Sequence, residues 1–325
     1  MKAAWYERNG AAREVLTVGD MPAAEPASGE VRVKLEASGV NPSDVKSRRG
    51  RPLAGPRVVP HSDGAGVIES VGNGVDASRI GERVWIWNGQ WKRPFGTAAE
   101  YITLPANQAV QLPDGIDFAT GACLGIPALT AMHAVRLLGP LDGKTVLITG
   151  AASAVGHYAV QMANHLGAKV IGTVSPDRTA HARMAGAAEI IDYKAQDVAA
   201  GVKEMTAGRG ADAIIDMDLS TTAKLLPGGV LAPNGKLVCY GSNLSGDIPI
   251  SFPAMLWSSL TLQAFVVYEL RAAERKAAID ELTAMLEAKS LKHTIGARFP
   301  LAEIAAAHEA VEGGKVIGNV VLEMG

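Results

Sequence analysis

The sequence predicts an α/β protein in which an irregular antiparallel β-barrel precedes a doubly wound parallel sheet, and three observations carry that reading. A β-branched run at 144–149 leads into Gly150-Ala151-Ala152-Ser153-Ala154-Val155-Gly156, a turn with little or no side chain, and then into a helical stretch closed by Gly167. Further β-branched runs recur at 169–174, 189–192, 213–217, 236–240 and 261–267, spaced so that a helix fits between them. Strands alternating with helices in this way form a parallel sheet. The first 122 residues differ: dense turn signals (Asn9-Gly10, Gly55-Pro56, Gly72-Asn73-Gly74, Asn88-Gly89) separate short alternating runs such as Val31-Arg32-Val33-Lys34-Leu35 and Arg83-Val84-Trp85-Ile86-Trp87. That is barrel or sandwich patterning.

Each element of the sheet has local support. Val155, Tyr158, Ala159, Met162, Ala163 and Leu166 share one helical face, which would pack on the sheet. Ser175-Pro176-Asp177-Arg178 predicts a helix start with Ser175 as N-cap, and Gly186 ends that helix. Six strands and the leading loop predict a nucleotide-type domain over 123–268. Beyond it, Ile279, Leu282, Met285 and Leu286 mark an amphipathic helix and 316–323 a last strand, which pattern alone assigns to neither domain.

Composition narrows the function. At 325 residues the chain suggests two domains. With 31 basic and 33 acidic residues and no Lys/Arg-rich run, nothing attracts nucleic acid or anionic lipid. Residues 1–8 lack the apolar core of a signal peptide and no run of about 18 apolar residues occurs, so the expectation is a soluble cytoplasmic protein with no membrane partner. Cys123 and Cys239 read as reduced core residues.

The turn at 150–156 is a candidate diphosphate cradle, because backbone N–H groups and a helix start can approach an anion closely there. Its glycines are Gly150 and Gly156, with Ser153 where the usual middle glycine would stand; Ala154 and Val155 complete the contact surface. An NAD-preferring site places an acidic residue about 20 positions on, at the end of the second strand. Val174 or Ser175 occupies that place, and Ser175, Arg178 and Tyr193 offer donors and one positive charge to a 2′-phosphate. NADPH is therefore expected over NADH. Asp177 can serve a ribose, or simply favour the start of its helix.

Several ordered motifs now resemble the medium-chain dehydrogenase/reductase superfamily, and within it the zinc-free NADPH:quinone oxidoreductase family that includes zeta-crystallin. These are Ser38-Gly39-Val40-Asn41-Pro42-Ser43-Asp44, Asp63-Gly64-Ala65-Gly66-Val67-Ile68-Glu69-Ser70-Val71-Gly72, Gly81-Glu82-Arg83-Val84, and the junction at 122–131. The resemblance implies a Rossmann domain at 123–268 and a GroES-like barrel formed by 1–122 and 269–325, with the cofactor in the cleft between them. It also implies a homodimer, or a tetramer, built through the nucleotide-domain sheets. Where zinc-dependent relatives carry ligands, this chain has Asn41 and Ser62, with Asp63 in place of a glutamate and His61 one residue off; neither Asn41 nor Ser62 is a usual zinc ligand, so no metal is expected.

Within that resemblance the catalytic candidates are Asn41, Asp44 and Lys46. Asn41 can donate its amide N–H to the oxygen on which negative charge grows, and Asp44 can orient neighbours or pass a proton through water. Asn41-Pro42 is equally ordinary turn chemistry. Lys46 stands where relatives often carry tyrosine, which favours a carbonyl oxygen or a more polar acceptor over a flat quinone. Further cofactor candidates are Thr130 facing the nicotinamide, Gly241-Ser242-Asn243 at the carboxyl edge of the sheet, Phe265 and Val266 near the carboxamide, and Asn319 from the tail. Trp85, Trp87 and Trp91 line a substrate pocket or the core. The expected activity is hydride transfer from NADPH to a quinone or an α,β-unsaturated carbonyl; the alternatives are ketone or aldehyde reduction and non-catalytic NADPH binding.

Overall fold

The computed structural model describes residues 1–325. They form two compact units: Met1–Ile126, Leu286–Ala288 and His293–Gly325 make one, Pro127–Met285 and Lys289–Lys292 the other.

The first unit opens with strands β1 (Lys2–Trp5) and β2 (Thr17–Asp20), an antiparallel pair. Then come β3 (Glu30–Val40), β4 (Asp63–Val71), β5 (Arg83–Ile86), β6 (Tyr101–Pro105) and β7 (Ala109–Gln111). Their antiparallel order is β3-β4-β5-β7, with β6 also on β3. Register shifts at Arg32/Val33 and Leu35/Ala37 bend β3 against β4, as bulges do where a sheet must curl. The alternating runs bury one side of each strand: Val31, Val33 and Leu35 join Ile68, Val84, Ile86, Ile102 and Leu104 in one core.

The second unit holds the parallel sheet: β8 (Thr145–Ile148), β9 (Lys169–Val174), β10 (Glu189–Asp192), β11 (Ala211–Asp216), β12 (Leu231–Cys239) and β13 (Thr261–Ala264). In space they run β10-β9-β8-β11-β12-β13, all parallel. The order reverses at β8, so the crevice outside the carboxyl ends of β8 and β11 is the switch point where such sheets bind ligands. Val146, Leu147, Ile148, Ile171, Ile214, Ile215 and Leu237 are fully buried or nearly so, as strands covered on both faces require.

The tail leaves this unit later than expected at 269. Helix Ala272–Glu287 stays largely with the second unit. Its buried Arg275 donates to the carbonyls of Val267 and Tyr268 at 2.9 and 3.0 Å, and its Glu281 pairs with Arg136. An apolar periodicity shows that a face is buried but not against which sheet. After it, β14 (Ile295–Pro300) and β15 (Asn319–Glu323) rejoin the first unit, β15 antiparallel to β3. No helix is long and apolar enough to cross a membrane.

Candidate active site

The diphosphate candidate lies at the carboxyl end of β8. Gly150 adopts φ +64°, and a Cβ on it would strike Met217 Sδ; a Cβ on Gly156 would strike the Gly150 carbonyl oxygen. The loop and helix Ala154–His165 are packed as closely as glycine permits. Ser153 does not point its hydroxyl outward as a substitute for the missing glycine: Oγ accepts the Gly156 N–H at 3.0 Å, making Ser153 the helix N-cap. The Tyr240 phenol, pushed up by burial, hydrogen-bonds the same hydroxyl. The His157 N–H is bonded to the Ser153 carbonyl at 2.9 Å. The first-turn N–H groups of Ala154 and Val155 have no intrahelical acceptor.

The 2′-phosphate candidates fall at adjacent strand ends, because Asp192 of β10 sits in register with Val174 of β9. Ser175 and Arg178 follow β9, and Tyr193, half-exposed at 51%, follows β10. The predicted cap is corrected here: residues Pro176–Arg178 form one turn of 3₁₀ helix, the α-helix begins at Thr179, and Ser175 makes no capping bond. Its side chain instead hydrogen-bonds Asp177, holding that exposed carboxyl below its usual range. Asp177 also lies 3.8 Å from Arg178 Nε.

At the carboxyl ends of β11 and β12 the sequence reading missed an acidic pair. Asp216 Oδ1 accepts from Thr149 Oγ1 at 2.8 Å and Thr222 Oγ1 at 2.7 Å, fixing the loop after β8 to β11. Burial raises Asp218, but hydrogen bonds from Ser220, Asn243 and Thr221 bring it down to about 2. Asn243 is therefore held by its backbone N–H and its amide on Asp218, at 2.9 and 2.8 Å, with Gly241 and Ser242 ordered just before it. The position of Asp216 and Asp218 at a strand's carboxyl end was the available signal. Thr130 is buried in helix Leu129–Leu138. Phe265 donates its N–H to Cys239 at 3.0 Å and sets its ring edge-on to His133, centroids 4.8 Å apart, so only its carbonyl is left for a ligand; Val266 is exposed.

In the first unit, Asn41 precedes helix Pro42–Gly50 and Asp44 occupies its first turn. The Asn41 N–H donates to Asp44 Oδ2 at 2.7 Å, and the Asn41 amide donates to Asp63 Oδ2 at 2.9 Å. Asp44 is pushed up to about 7 by burial, which outweighs the hydrogen bonds from Asn41. Asp63 is raised well above the usual carboxyl range by burial and by Asp44. Lys46, two positions on, is exposed while Asp44 is buried. Trp85 is core, not pocket lining, at 0% exposure. Asn319 is spent locally, its amide donating to the Thr294 carbonyl at 3.1 Å.

His61, buried with φ +78°, belongs to a different network. Its Nδ1 meets Ser38 Oγ at 2.9 Å and its Nε2 meets His308 Nε2 at 2.9 Å, while Ser38 Oγ lies 2.8 Å from Thr97 Oγ1. No group of three or more His, Cys, Asp or Glu side chains gathers anywhere as a metal ion would need. Both cysteines are free and buried.

Comparison with known proteins agrees with this architecture. Residues 27–114 match the family described as alcohol dehydrogenase GroES-like domain, and 185–322 that described as zinc-binding dehydrogenase. The chain is 36% identical over 319 residues to a quinone oxidoreductase of Pseudomonas aeruginosa, covering 95% of each, and 32% identical over 320 residues to a 2-haloacrylate reductase of a Burkholderia species, covering 93% of each. Among solved structures, Escherichia coli quinone oxidoreductase complexed with NADPH superposes with a TM-score of 0.88 at 26% identity, covering 99% of this chain and 100% of that one. A structure titled as an NAD-dependent alcohol dehydrogenase gives 0.88 at 30% identity, covering 100% of both. A Rossmann sheet joined to a GroES-like barrel defines the medium-chain dehydrogenase/reductase superfamily. Within it, the chain belongs to the quinone oxidoreductase family, a family of oxidoreductase enzymes.

Proposed function

We propose that this chain is an NADPH-dependent oxidoreductase that delivers hydride to a quinone or an α,β-unsaturated carbonyl without zinc. The carrying observation is the cofactor corner: a glycine-tight loop with helix-start N–H groups, and Ser175, Arg178 and Tyr193 just past the neighbouring ends of β9 and β10, with β9 ending on Val174 and not on a carboxylate. The residues fit NADPH. Ala154 and Val155 hold the diphosphate, Arg178 and Tyr193 the 2′-phosphate, and Gly241, Ser242, Asn243, Thr130, Phe265 and Val266 border the rest. Ser175 joins once its hydroxyl leaves Asp177. The relatives titled as NADPH complexes and as a 2-haloacrylate reductase support both the cofactor and the unsaturated acceptor.

When bound, the dihydronicotinamide supplies the hydride. The protein supplies the rest of the chemistry. Negative charge grows on the acceptor oxygen, where an N–H of Asn41 stabilises it. Asp44, raised to about 7, is about half protonated at neutral pH and in that form can release its proton to the product oxygen. Asn41 and Ser62, at the positions where zinc-dependent relatives place ligands, are poor zinc donors. Exposed Lys46 draws polar acceptors toward the site.

The test is purified protein with NADPH against quinones, enones, ketones and aldehydes, with product analysis and EDTA controls. Stoichiometric NADPH oxidation with double-bond or quinone reduction, unaffected by chelation and at least tenfold better in kcat/KM than with NADH, is expected. Carbonyl reduction to an alcohol supports the second reading. Binding without turnover overturns catalysis.

The working form is proposed to be a homodimer in the cytoplasm, where free thiols such as Cys123 and Cys239 persist. The edge strand β13 has its outer side unpaired, and beside it helix Phe252–Trp257 exposes Phe252 at 70%, Leu256 at 55% and Trp257 at 84%. A soluble monomer rarely leaves such a patch uncovered. Sedimentation at micromolar concentration giving a monomer would remove this part of the reading.

A further inference from the structure

We propose that Asp63 is a positioning residue that locks the Asn41 carboxamide in a single orientation, acting as a neutral acid. Three elements converge on it. Asp63 begins β4, Asn41 precedes helix Pro42–Gly50, and Ile126 lies in the segment Leu124–Ala128. A single oxygen, Oδ2, receives the Asn41 amide at 2.9 Å and the Ile126 N–H at 3.1 Å. The other oxygen, Oδ1, is buried with no hydrogen-bond partner.

That asymmetry fits a carboxylic acid better than a carboxylate. In a carboxylate both oxygens demand donors, and a buried unpaired one is costly. In the acid, the proton sits on Oδ1, where an unpaired neutral O–H costs less than an unpaired charge, and Oδ2 remains a carbonyl-type acceptor for both N–H groups. Two N–H donors on Oδ2 leave the Asn41 amide no freedom to flip, because a flip would set its carbonyl oxygen against Oδ2. The space is equally specific. A Cβ on Gly125 would lie 2.5 Å from Asp63 Oδ1 and 2.5 Å from the Ile86 carbonyl oxygen, so any side chain at 125 displaces the acid. Asp44, bonded to the Asn41 N–H on the other side, inherits its placement from the same residue.

The inference rests on the reading of Asn41 as the donor to the acceptor oxygen. Asp63→Ser removes the long acceptor; Asp63→Asn keeps a carbonyl acceptor and the neutral charge. Asp63→Ser should lower kcat at least thirtyfold with KM for NADPH within twofold, and Asp63→Asn should restore most of that loss. Combining Asp63→Ser with Asn41→Ala should cost no more than Asn41→Ala alone. Equal damage by the two Asp63 variants, additive losses in the double variant, or an unchanged kcat in Asp63→Ser would each overturn it. A second readout does not depend on turnover. Nitrogen-labelled protein should show the Asn41 side-chain amide protected from solvent exchange in wild type and Asp63→Asn but not in Asp63→Ser; protection in all three refutes the lock even if no quinone or enone is reduced, and protection as expected upholds it even then.

Discussion

At Asp44 two opposing effects meet on one carboxyl, and burial prevails over the hydrogen bonds from Asn41, leaving it at about 7 instead of the usual 3.8. A group that must give a proton to a product oxygen needs its own proton at working pH, so the protonated form is the competent one. kcat should be level below pH 7 and fall about tenfold per unit above it, as expected for one titrating acid. Asp44→Asn should flatten that limb and lower kcat by about a hundredfold. A profile in which the inflection near 7 survives Asp44→Asn assigns the proton to another group. The stability sign is opposite to that of a salt-bridged acid. With the folded value above the unfolded one, the contribution is fully present below pH 3.8 and is lost as pH rises through 7. Asp44→Asn should therefore melt higher than wild type at pH 8.

The helix after β8 shows what an element inherits from one residue at its start. Ser153 caps Ala154–His165 through the Gly156 N–H, and losing such a cap to alanine costs about 1 kcal/mol, whereas glycine costs a few tenths. Ser153→Ala should lower Tm by about 2 °C and Ser153→Gly by less, with KM for NADPH within twofold for both; thermal melts and steady-state kinetics decide. A large KM change in Ser153→Gly would instead mean that the hydroxyl contacts the diphosphate. Elements of this kind were legible before the structure. The 169–174 and 189–192 runs are β9 and β10 to the residue, because short β-branched runs spaced with room for a helix between them read as parallel strands. The loop at 150–156 was legible because close packing admits only small residues. What sequence could not show was partner choice. Ser175 reads as a cap but turns to Asp177, while nothing in the sequence pairs His61 with His308, 247 positions away. Side-chain partners far apart in the chain leave no periodic trace.

The His61–His308 contact matters at the scale of the whole molecule because it joins the ends of the chain inside the first unit. Helix Ile304–Gly313 carries His308 and also Glu312, which pairs with buried Arg48. Two Nε2 atoms 2.9 Å apart have room for one proton between them, and burial favours the neutral form of both rings. Burial and Arg48 push His308 down to about 3, and burial with His308 lowers His61. Both folded values lie below the unfolded 6.5, so the stability they contribute is present above pH 6.5 and is lost as pH falls toward 3. Asp44 acts the other way, since its folded value is raised to about 7 and acidification below that favours the fold until the unfolded carboxyl also protonates near 3.8; Asp63 is raised in the same direction. Between about pH 4.5 and 6 the two kinds of group oppose each other, the unfolded chain holding an extra proton on His308 and the folded chain one on Asp44, with His61 and Asp63 shifted in the same respective directions. Removing one histidine unbalances them. His308→Leu should make the slope of unfolding free energy against pH more negative by one proton, about 1.4 kcal/mol per pH unit, in urea titrations at pH 4.5, 5.2 and 6. The slope, not the absolute stability, is the measurement, because the leucine also deprives His61 of its partner. A slope identical to wild type would mean that His308 already titrates normally in the folded chain, and that the two imidazoles do not share one proton.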